Sequence, residues 1–209
     1  GVQIDKLAAS LRARWLQRRG EEAAVPEGGY LGAYVTDLAA EVEDALDPPA
    51  LDRLRSGERD TQLQVLRDWA VDRLRQEQDR DLRAFGVTFD AYYTESRLYA
   101  EGHVQETLDE LRERGLVYEA EGAIWLRTSE YGDDKDRVLL KSDGTYTYFL
   151  PDLAYHREKA RRGFEHVIDV WGADHHGYVP RMKAALEALG LQDFLDVEIV
   201  QMVRILRGG

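Results

Sequence analysis

Apolar residues at Ile4, Leu7, Ala8, Leu11, Trp15 and Leu16 recur at helical spacing, and Gly20 is a natural stop for that helix. A second helical pattern runs from about Leu31 to Leu46. Asp47-Pro48-Pro49 is expected to break the chain, after which Asp60 or Thr61 can cap a long amphipathic helix through Leu63, Leu66, Trp69, Ala70 and Leu74 to Leu82, closed by Gly86. The first third is therefore predicted to be helical. Val87 to Tyr93 alternates as a short strand does, and Val104, Leu108 and Leu111 mark another helix ending at Gly115. Val117 to Tyr118 and Ile124 to Leu126 read as a hairpin around Glu121-Gly122. The polar run from Tyr131 to Arg137 reads most simply as a solvated loop before a strand at Val138 to Lys141. Asp143-Gly144 is a hairpin turn that returns the chain through Thr145 to Tyr148.

From there the pattern changes to a helix at Asp152 to Arg162, a strand at His166 to Trp171, a helix at about His176 to Leu189 and a strand at Val197 to Leu206. That alternation predicts an α/β fold whose parallel sheet is joined by crossover helices. Ligands of such sheets bind beyond the carboxyl ends of the strands, which puts Gly172-Ala173-Asp174-His175-His176 where a phosphate, ribose or adenine contact belongs. Gly172 lets a ligand approach the backbone, Asp174 can accept from two ribose hydroxyls, and the helix that follows aims free N–H groups at an anion. A plain helix-capping role for Asp174 remains open. Tyr148 and Asp152 straddle a helix entry, where they can grip a cationic group; equally, Asp152 can be a cap after Pro151. Glu95 is a carboxylate just after the predicted strand at Val87 to Tyr93, either a ligand or solvated surface. His175 and His176 are adjacent, but without cysteine or a clustered His and carboxylate spacing no metal site is expected.

At 209 residues and 44% hydrophobic content the chain can bury one large core or two small ones, which excludes overall disorder. The net charge of -12, from 40 acidic and 28 basic residues, gives no general footprint for nucleic acid, so such a partner needs a local basic patch. Without cysteine there are no disulfides, thiolate metal sites or thiol nucleophiles. No apolar run approaches the roughly 20 residues that span a bilayer, and no signal segment opens the chain, so a soluble cytoplasmic protein with no membrane partner is expected. Gly1 stands where a methionine would start a protein, and Arg207-Gly208-Gly209 directly follows an apolar run. Both ends are expected to be cuts through a larger protein.

Two runs carry a resemblance. Gly144-Thr145-Tyr146-Thr147-Tyr148-Phe149-Leu150-Pro151-Asp152-Leu153-Ala154-Tyr155-His156 and Gly172-Ala173-Asp174-His175-His176-Gly177-Tyr178-Val179-Pro180-Arg181-Met182-Lys183 closely resemble the catalytic domain of bacterial arginyl-tRNA synthetases. Weaker matches, at Gly1 to Asp5, Trp125 to Thr128 and Gly132 to Leu139, extend the likeness over nearly the whole chain. The resemblance implies a class I synthetase Rossmann-like parallel sheet with a helical and hairpin insertion. Residues 1–86 would be the helical segment, 87–147 the strand, helix and hairpin insertion, and 148–209 the second half of the nucleotide fold.

It also implies ATP-dependent activation of L-arginine, with Mg2+ accompanying ATP, and transfer to tRNA(Arg) by a monomeric full-length enzyme. By position, Tyr148, Asp152 and Glu95 match residues around the arginine side chain, whose planar fork of donors suits two carboxylates. His175 falls where relatives place a polar side chain, often Gln, near the amino acid's α-groups. Gly172, Asp174 and His176 match the border of the ATP ribose, and Met202 and Val203 the strand edge beside adenine. The family's His-Ile-Gly-His signature would precede Gly1 and its Lys-Met-Ser-Lys-type loop would follow Gly209, so no catalytic residue is assigned and the segment alone is expected to be inactive. Two other readings stand beside this one: a truncated paralogue that binds arginine or nucleotide without catalysis, and an unrelated nucleotidyl transferase of similar fold.

Overall fold

The computed structural model describes residues 1–204, which form two compact units, Gly1–Asp90 and the chain from Ala91 onward. The first unit is helical: α1 (Val2–Arg18), α2 (Ala33–Ala45), α3 (Pro48–Ser56) and α4 (Arg59–Ala84). Leu11, Trp15, Val35, Leu38, Val42, Leu54 and Leu66 form its core. Gly20 and Gly86 end α1 and α4 with positive φ, +78° and +86°, which a residue with a side chain adopts only at a cost. Asp47-Pro48-Pro49 interrupts the helical run as expected, between the end of α2 at Ala45 and Pro48, and it also starts α3, because the Asp47 carboxylate accepts from the Ala50 N–H at 2.8 Å and proline at the first position lacks only an N–H that has no intrahelical acceptor. The cap expected for α4 is corrected. Neither Asp60 nor Thr61 caps α4, which begins at Arg59 after Glu58.

The second unit opens irregularly. Val87 to Tyr93 is not a strand; among the described residues no strand pairs with it, and alternation without a neighbour makes no sheet. Two helices follow, α5 (Glu95–Ala100) and α6 (His103–Glu113), and then the hairpin β1 (Val117–Ala120) and β2 (Ala123–Leu126). Glu121 and Gly122 turn that hairpin with φ of +54° and +73°, both positive as a two-residue turn requires. β2 also pairs antiparallel with β3 (Arg137–Leu140). The expected solvated loop between them is more ordered than its polarity implies. Asp133 is buried against Arg137 at 2.7 Å, and Asp136 accepts from the Ser129 hydroxyl at 2.6 Å and from the Tyr118 hydroxyl at 3.0 Å. Paired charges can be buried where lone ones cannot.

After Asp143-Gly144 the returning segment makes one bridge, Leu140 to Tyr146, and no strand. α7 (Phe149–Arg161) starts three residues earlier than the helix expected at Asp152, so Asp152 lies inside its first turn and is not its cap. β4 (Val167–Gly172), a short 3-10 segment (Ala173–Tyr178), α8 (Val179–Ala188) and β5 (Leu195–Val200) complete the unit. β4 and β5 are parallel, with Val167 opposite Leu195 and Gly172 opposite Val200. The α/β class is therefore as predicted, with a two-stranded parallel sheet. β5 runs earlier than the Val197 to Leu206 expected; Gln201 to Arg204 are unpaired, and Ile205 and Leu206 lie outside the described residues.

One core joins the hairpin sheet to the crossover unit, built from Leu108, Leu111, Leu126, Leu139, Leu150, Leu153, Met182 and Leu186. Along β4, Val167, Asp169 and Trp171 are half-buried while Ile168 and Val170 are exposed, the two-residue alternation of a strand covered on one face. Because Leu111 is fully buried in this core, Leu111→Ala is expected to cost about 2–5 kcal/mol of stability. Denaturant titration measures it, and an unchanged midpoint would contradict this packing.

Candidate functional site

At the N-terminal end of α7 lies a cavity of about 190 Å³ with three tyrosines, 93, 148 and 155, and two carboxylates, Glu95 and Asp152, over a floor of Leu98 and Pro151. Local sequence explains the arrangement. Phe149, Leu150, Leu153 and Ala154 turn one face of α7 into the core, which leaves Asp152 and Tyr155 on the cavity side, and Tyr148 stands just before the first turn. Glu95 is the first residue of α5. The Tyr93 and Tyr155 rings stack with centroids 5.1 Å apart, and the Tyr93 hydroxyl donates to Glu101 at 3.2 Å. Tyr148 is 81% exposed, its ring free to meet a ligand. A larger hollow of about 430 Å³ lies at the opposite ends of β4 and β5, but there Lys183 and His166 are already spent on Asp196, at 3.2 and 3.3 Å.

Asp152 faces this cavity in an unusual electrical state. Desolvation by the surrounding walls raises its pKa, and the negative charges of Glu95 and Asp169 add to that; the Tyr178 hydroxyl, donating to its Oδ2 at 2.8 Å, and His156 act against the rise without cancelling it. Among the described residues no basic side chain forms an ion pair with it. A carboxylate held in this way gains most from an arriving cation.

Behind the cavity a polar network binds α7 to β4. His156 donates from Nδ1 to the Asp152 carbonyl oxygen at 2.8 Å and shares Nε2 with Asp169 Oδ2 at 2.9 Å, while Lys159 Nζ donates to Asp169 Oδ1 at 2.6 Å. Both partners of the imidazole are acceptors, so the ring joins α7 to β4 through both of its nitrogens. Burial would raise the Asp169 pKa, but the hydrogen bonds from His156 and Lys159 and their charges outweigh it and bring it down to about 2. Lys159 Nζ also lies 4.7 Å from the Tyr155 ring centroid, and so touches the wall of the cavity from behind.

The second group of residues gathers where β4 ends. Gly172 closes the strand, and the Asp174 side chain folds back so far that a Cβ at 172 would come within 2.6 Å of Asp174 Oδ1. Asp174 caps no helix through its side chain; its Oδ1 lies 3.2 Å from His175 Nδ1. His175 and His176 are both exposed, and the His175 ring centroid is 6.2 Å from that of Trp171. His175 thus belongs to this segment and does not line the cavity. Met202 and Val203 follow β5, the neighbour of β4, and are 85% and 83% exposed. Among the described residues no three His, Asp or Glu side chains are grouped to hold a metal ion, and no helix is long and apolar enough to cross a membrane.

Glu95, Tyr148 and Asp152 are therefore brought together, and Gly172, Asp174, His175 and His176 form an adjoining set. Sequence reasoning missed Tyr93 and Tyr155 as cavity walls, Tyr178 as the partner of Asp152, and the His156, Lys159 and Asp169 network. A signal for the last existed: one carboxylate inside the apolar run His166 to Trp171, preceded by a helix with basic groups three residues apart on one face.

Comparison with known proteins adds an independent line. The family model described as the catalytic domain of class I tRNA synthetases (R) matches residues 47–202. An arginine–tRNA ligase from Geobacillus thermodenitrificans is 48% identical over 213 aligned positions, and one from Syntrophotalea carbinolica is 49% identical over 210; each match covers 100% of this chain and 37% of the relative. The chain thus spans a little over a third of the curated relatives it matches. A crystal structure of a protein from Campylobacter jejuni superposes with a TM-score of 0.81 at 36% identity, covering 95% of this chain and 43% of that one. Arginyl-tRNA synthetase from Thermus thermophilus, with a TM-score of 0.55, 18% identity and coverage of 95% of this chain and 44% of that one, shares the fold.

Two predictions follow from the opposed carboxylates. The folded Asp169 pKa of about 2 lies below its ordinary 3.8, so its stabilisation is complete above about pH 4 and is lost as pH falls toward 2. Asp169→Asn leaves Lys159 buried without a counter-charge, and should cost about 3–5 kcal/mol at neutral pH while flattening the stability profile between pH 4 and 2; a profile as steep as wild type would contradict the network. The folded Asp152 pKa is raised, so ionising this group disfavours the fold. Because Asp152 is solvent-exposed, screening keeps this effect small, and Asp152→Asn at pH 7 is expected to leave the melting temperature unchanged or slightly raised; a clear loss of stability would count against this account.

Proposed function

The chain belongs to the class I arginyl-tRNA synthetase catalytic-domain family, and from that membership we propose that it supplies the arginine pocket and part of the ATP site of an arginine–tRNA ligase. In that reaction an arginine carboxylate oxygen attacks the α-phosphorus of ATP, bound as its magnesium complex, and pyrophosphate leaves. A terminal ribose hydroxyl of tRNA(Arg) then attacks the acyl carbon of the adenylate, and AMP leaves. Residues 87–147 serve as an insertion and 148–209 as the second half of the nucleotide fold, within a monomeric cytoplasmic enzyme.

The observation that carries this reading is the cavity with two carboxylates and three tyrosine rings. A guanidinium is planar, always charged and presents five N–H donors; Glu95 and Asp152 can accept them in pairs while a tyrosine face stacks on the plane. Lysine offers a point charge without a face, and so forfeits the stacking and the paired geometry. Tyr148, exposed at the mouth, is the ring free to close over the ligand. His175, on the adjoining segment beyond Trp171, serves the amino acid's α-groups. Gly172, Asp174 and His176 border the ATP ribose, and Met202 and Val203 its adenine, in keeping with the rule that nucleotides lie beyond the carboxyl ends of parallel strands.

Calorimetric titration of the full-length protein carrying this chain with arginine, lysine and ATP is the test. Arginine should bind and lysine should not, and Asp152→Asn should weaken arginine by about 10- to 100-fold with the affinity for ATP unchanged. Equal losses for arginine and ATP would mean that Asp152 serves the fold and not the ligand.

A further inference from the structure

We propose that Tyr178 is a positioning residue of the arginine pocket, holding the Asp152 carboxylate in the orientation that receives the guanidinium. The inference rests on the arginine reading of the cavity and names a residue outside its lining. Tyr178 ends the 3-10 segment that leads from β4 into α8, and its hydroxyl donates to Asp152 Oδ2 at 2.8 Å. The ring is fixed by contacts that do not involve Asp152. It meets Phe149 edge-on with centroids 5.9 Å apart, Trp171 at 5.7 Å, and the Arg181 guanidinium at 5.1 Å. The place of the hydroxyl is therefore set by packing, and the carboxylate comes to it.

Asp152 is thus held at two points. His156 Nδ1 bonds its main-chain oxygen at 2.8 Å and Tyr178 bonds one carboxylate oxygen. A carboxylate offers about four acceptor directions, and a single donor on Oδ2 orients the group while leaving the rest for a ligand. A basic side chain in place of Tyr178 would orient Asp152 equally well but would neutralise it and repel a guanidinium. The phenol orients without adding charge. Burial first, and the adjacent Asp152 charge second, push the Tyr178 pKa upward, so it remains a donor at neutral pH.

The titratable groups that face Asp152 are Glu95 and Tyr99 from α5, Tyr148 just before α7, His156 from α7, Asp169 from β4, Tyr178 itself, and Tyr93 and Tyr155 in the same cavity wall. Of these, Glu95 and Asp169 raise the Asp152 pKa, and Tyr178 and His156 lower it. Loss of the Tyr178 hydroxyl removes a bond to the ionised form. The Asp152 pKa then rises further, and the acid limb of arginine affinity moves to higher pH.

Tyr178→Phe keeps the ring and removes the oxygen. In the full-length protein carrying this chain, assayed by arginine-dependent ATP–pyrophosphate exchange, kcat/KM for arginine should fall about tenfold while the KM for ATP stays at its wild-type value. The acid limb for arginine should move to higher pH. In an Asp152→Ala background, where no acceptor is left for the hydroxyl, the same substitution should add nothing. Equal losses for arginine and ATP, an unmoved acid limb, or a full additional loss in the Asp152→Ala background would each overturn the proposal. So would a Tyr178→Phe protein that fails to fold, since the hydroxyl would then be a structural requirement. Asp152→Asn with unchanged arginine kinetics overturns the arginine reading itself, whereas an impaired Asp152→Asn with a normal Tyr178→Phe overturns only the role of Tyr178.

Discussion

In the middle of β4 the Asp169 carboxylate takes the Nε2 of His156 on one oxygen and the Nζ of Lys159 on the other, both from α7 and both nearly buried. Charges are stripped of water only where partners replace it, so this contact tolerates little displacement of helix against strand. Apolar packing by Leu150 and Leu153 presses α7 onto the core but permits sliding at modest cost; the network defines one height and one rotation. The cavity residues of α7 and the segment after β4 are placed from that fixed point. Asp152 and Tyr155 ride on α7 and Tyr148 stands just before it, while Gly172 closes β4 and Asp174 and Tyr178 follow it; Glu95 is placed separately by α5.

Two aspartates on adjoining elements are driven in opposite directions by what surrounds them. Asp169 has two basic partners and is held ionised far into acid; Asp152 has a neutral phenol and carboxylate neighbours and is held at a higher pKa. The first spends its charge on the fold, and the second faces the cavity with no basic partner among the described residues. Environments that push like groups apart are a common mark of a working site. Here the separation is built from side chains on α5, α7, β4 and the segment after it, so the pocket and the core of the unit are one construction.

Much of this was legible in the sequence where one local rule acts alone. Helical periodicity with a glycine stop located α1, α4 and α6, and Glu121-Gly122 and Asp143-Gly144 located their turns because positive φ narrows the choice of residues. Legibility failed where a distant partner decides. Val87 to Tyr93 has the alternation of a strand and no strand to pair with, while Asp133 and Arg137 look like surface until each is seen to cancel the other. Asp47-Pro48-Pro49 was legible in part: it interrupts the helical run as read, while its second role as the start of α3 shows only in the capping bond from Ala50. Within the site, the motif runs carried Tyr148, Asp152 and the residues after Gly172. Tyr93 and Tyr178 came from folding, since only the tertiary structure brings residues 93, 152 and 178 to one place.

Along α7, Tyr148, Asp152, His156 and Lys159 stand four, four and three residues apart, the spacing that keeps side chains on one stripe of a helix. The near end of the stripe meets the cavity and the far end meets Asp169. Each residue of an α-helix turns the chain by about 100°, so one residue gained or lost between Asp152 and His156 would swing the two ends onto different sides, and neither rotation could serve both. The helix is therefore closed to insertions and deletions even though its exposed positions can change chemically. An added residue is expected to be tolerated instead at the Glu121-Gly122 and Asp143-Gly144 turns, where it alters a loop and leaves every angle of the site as it was.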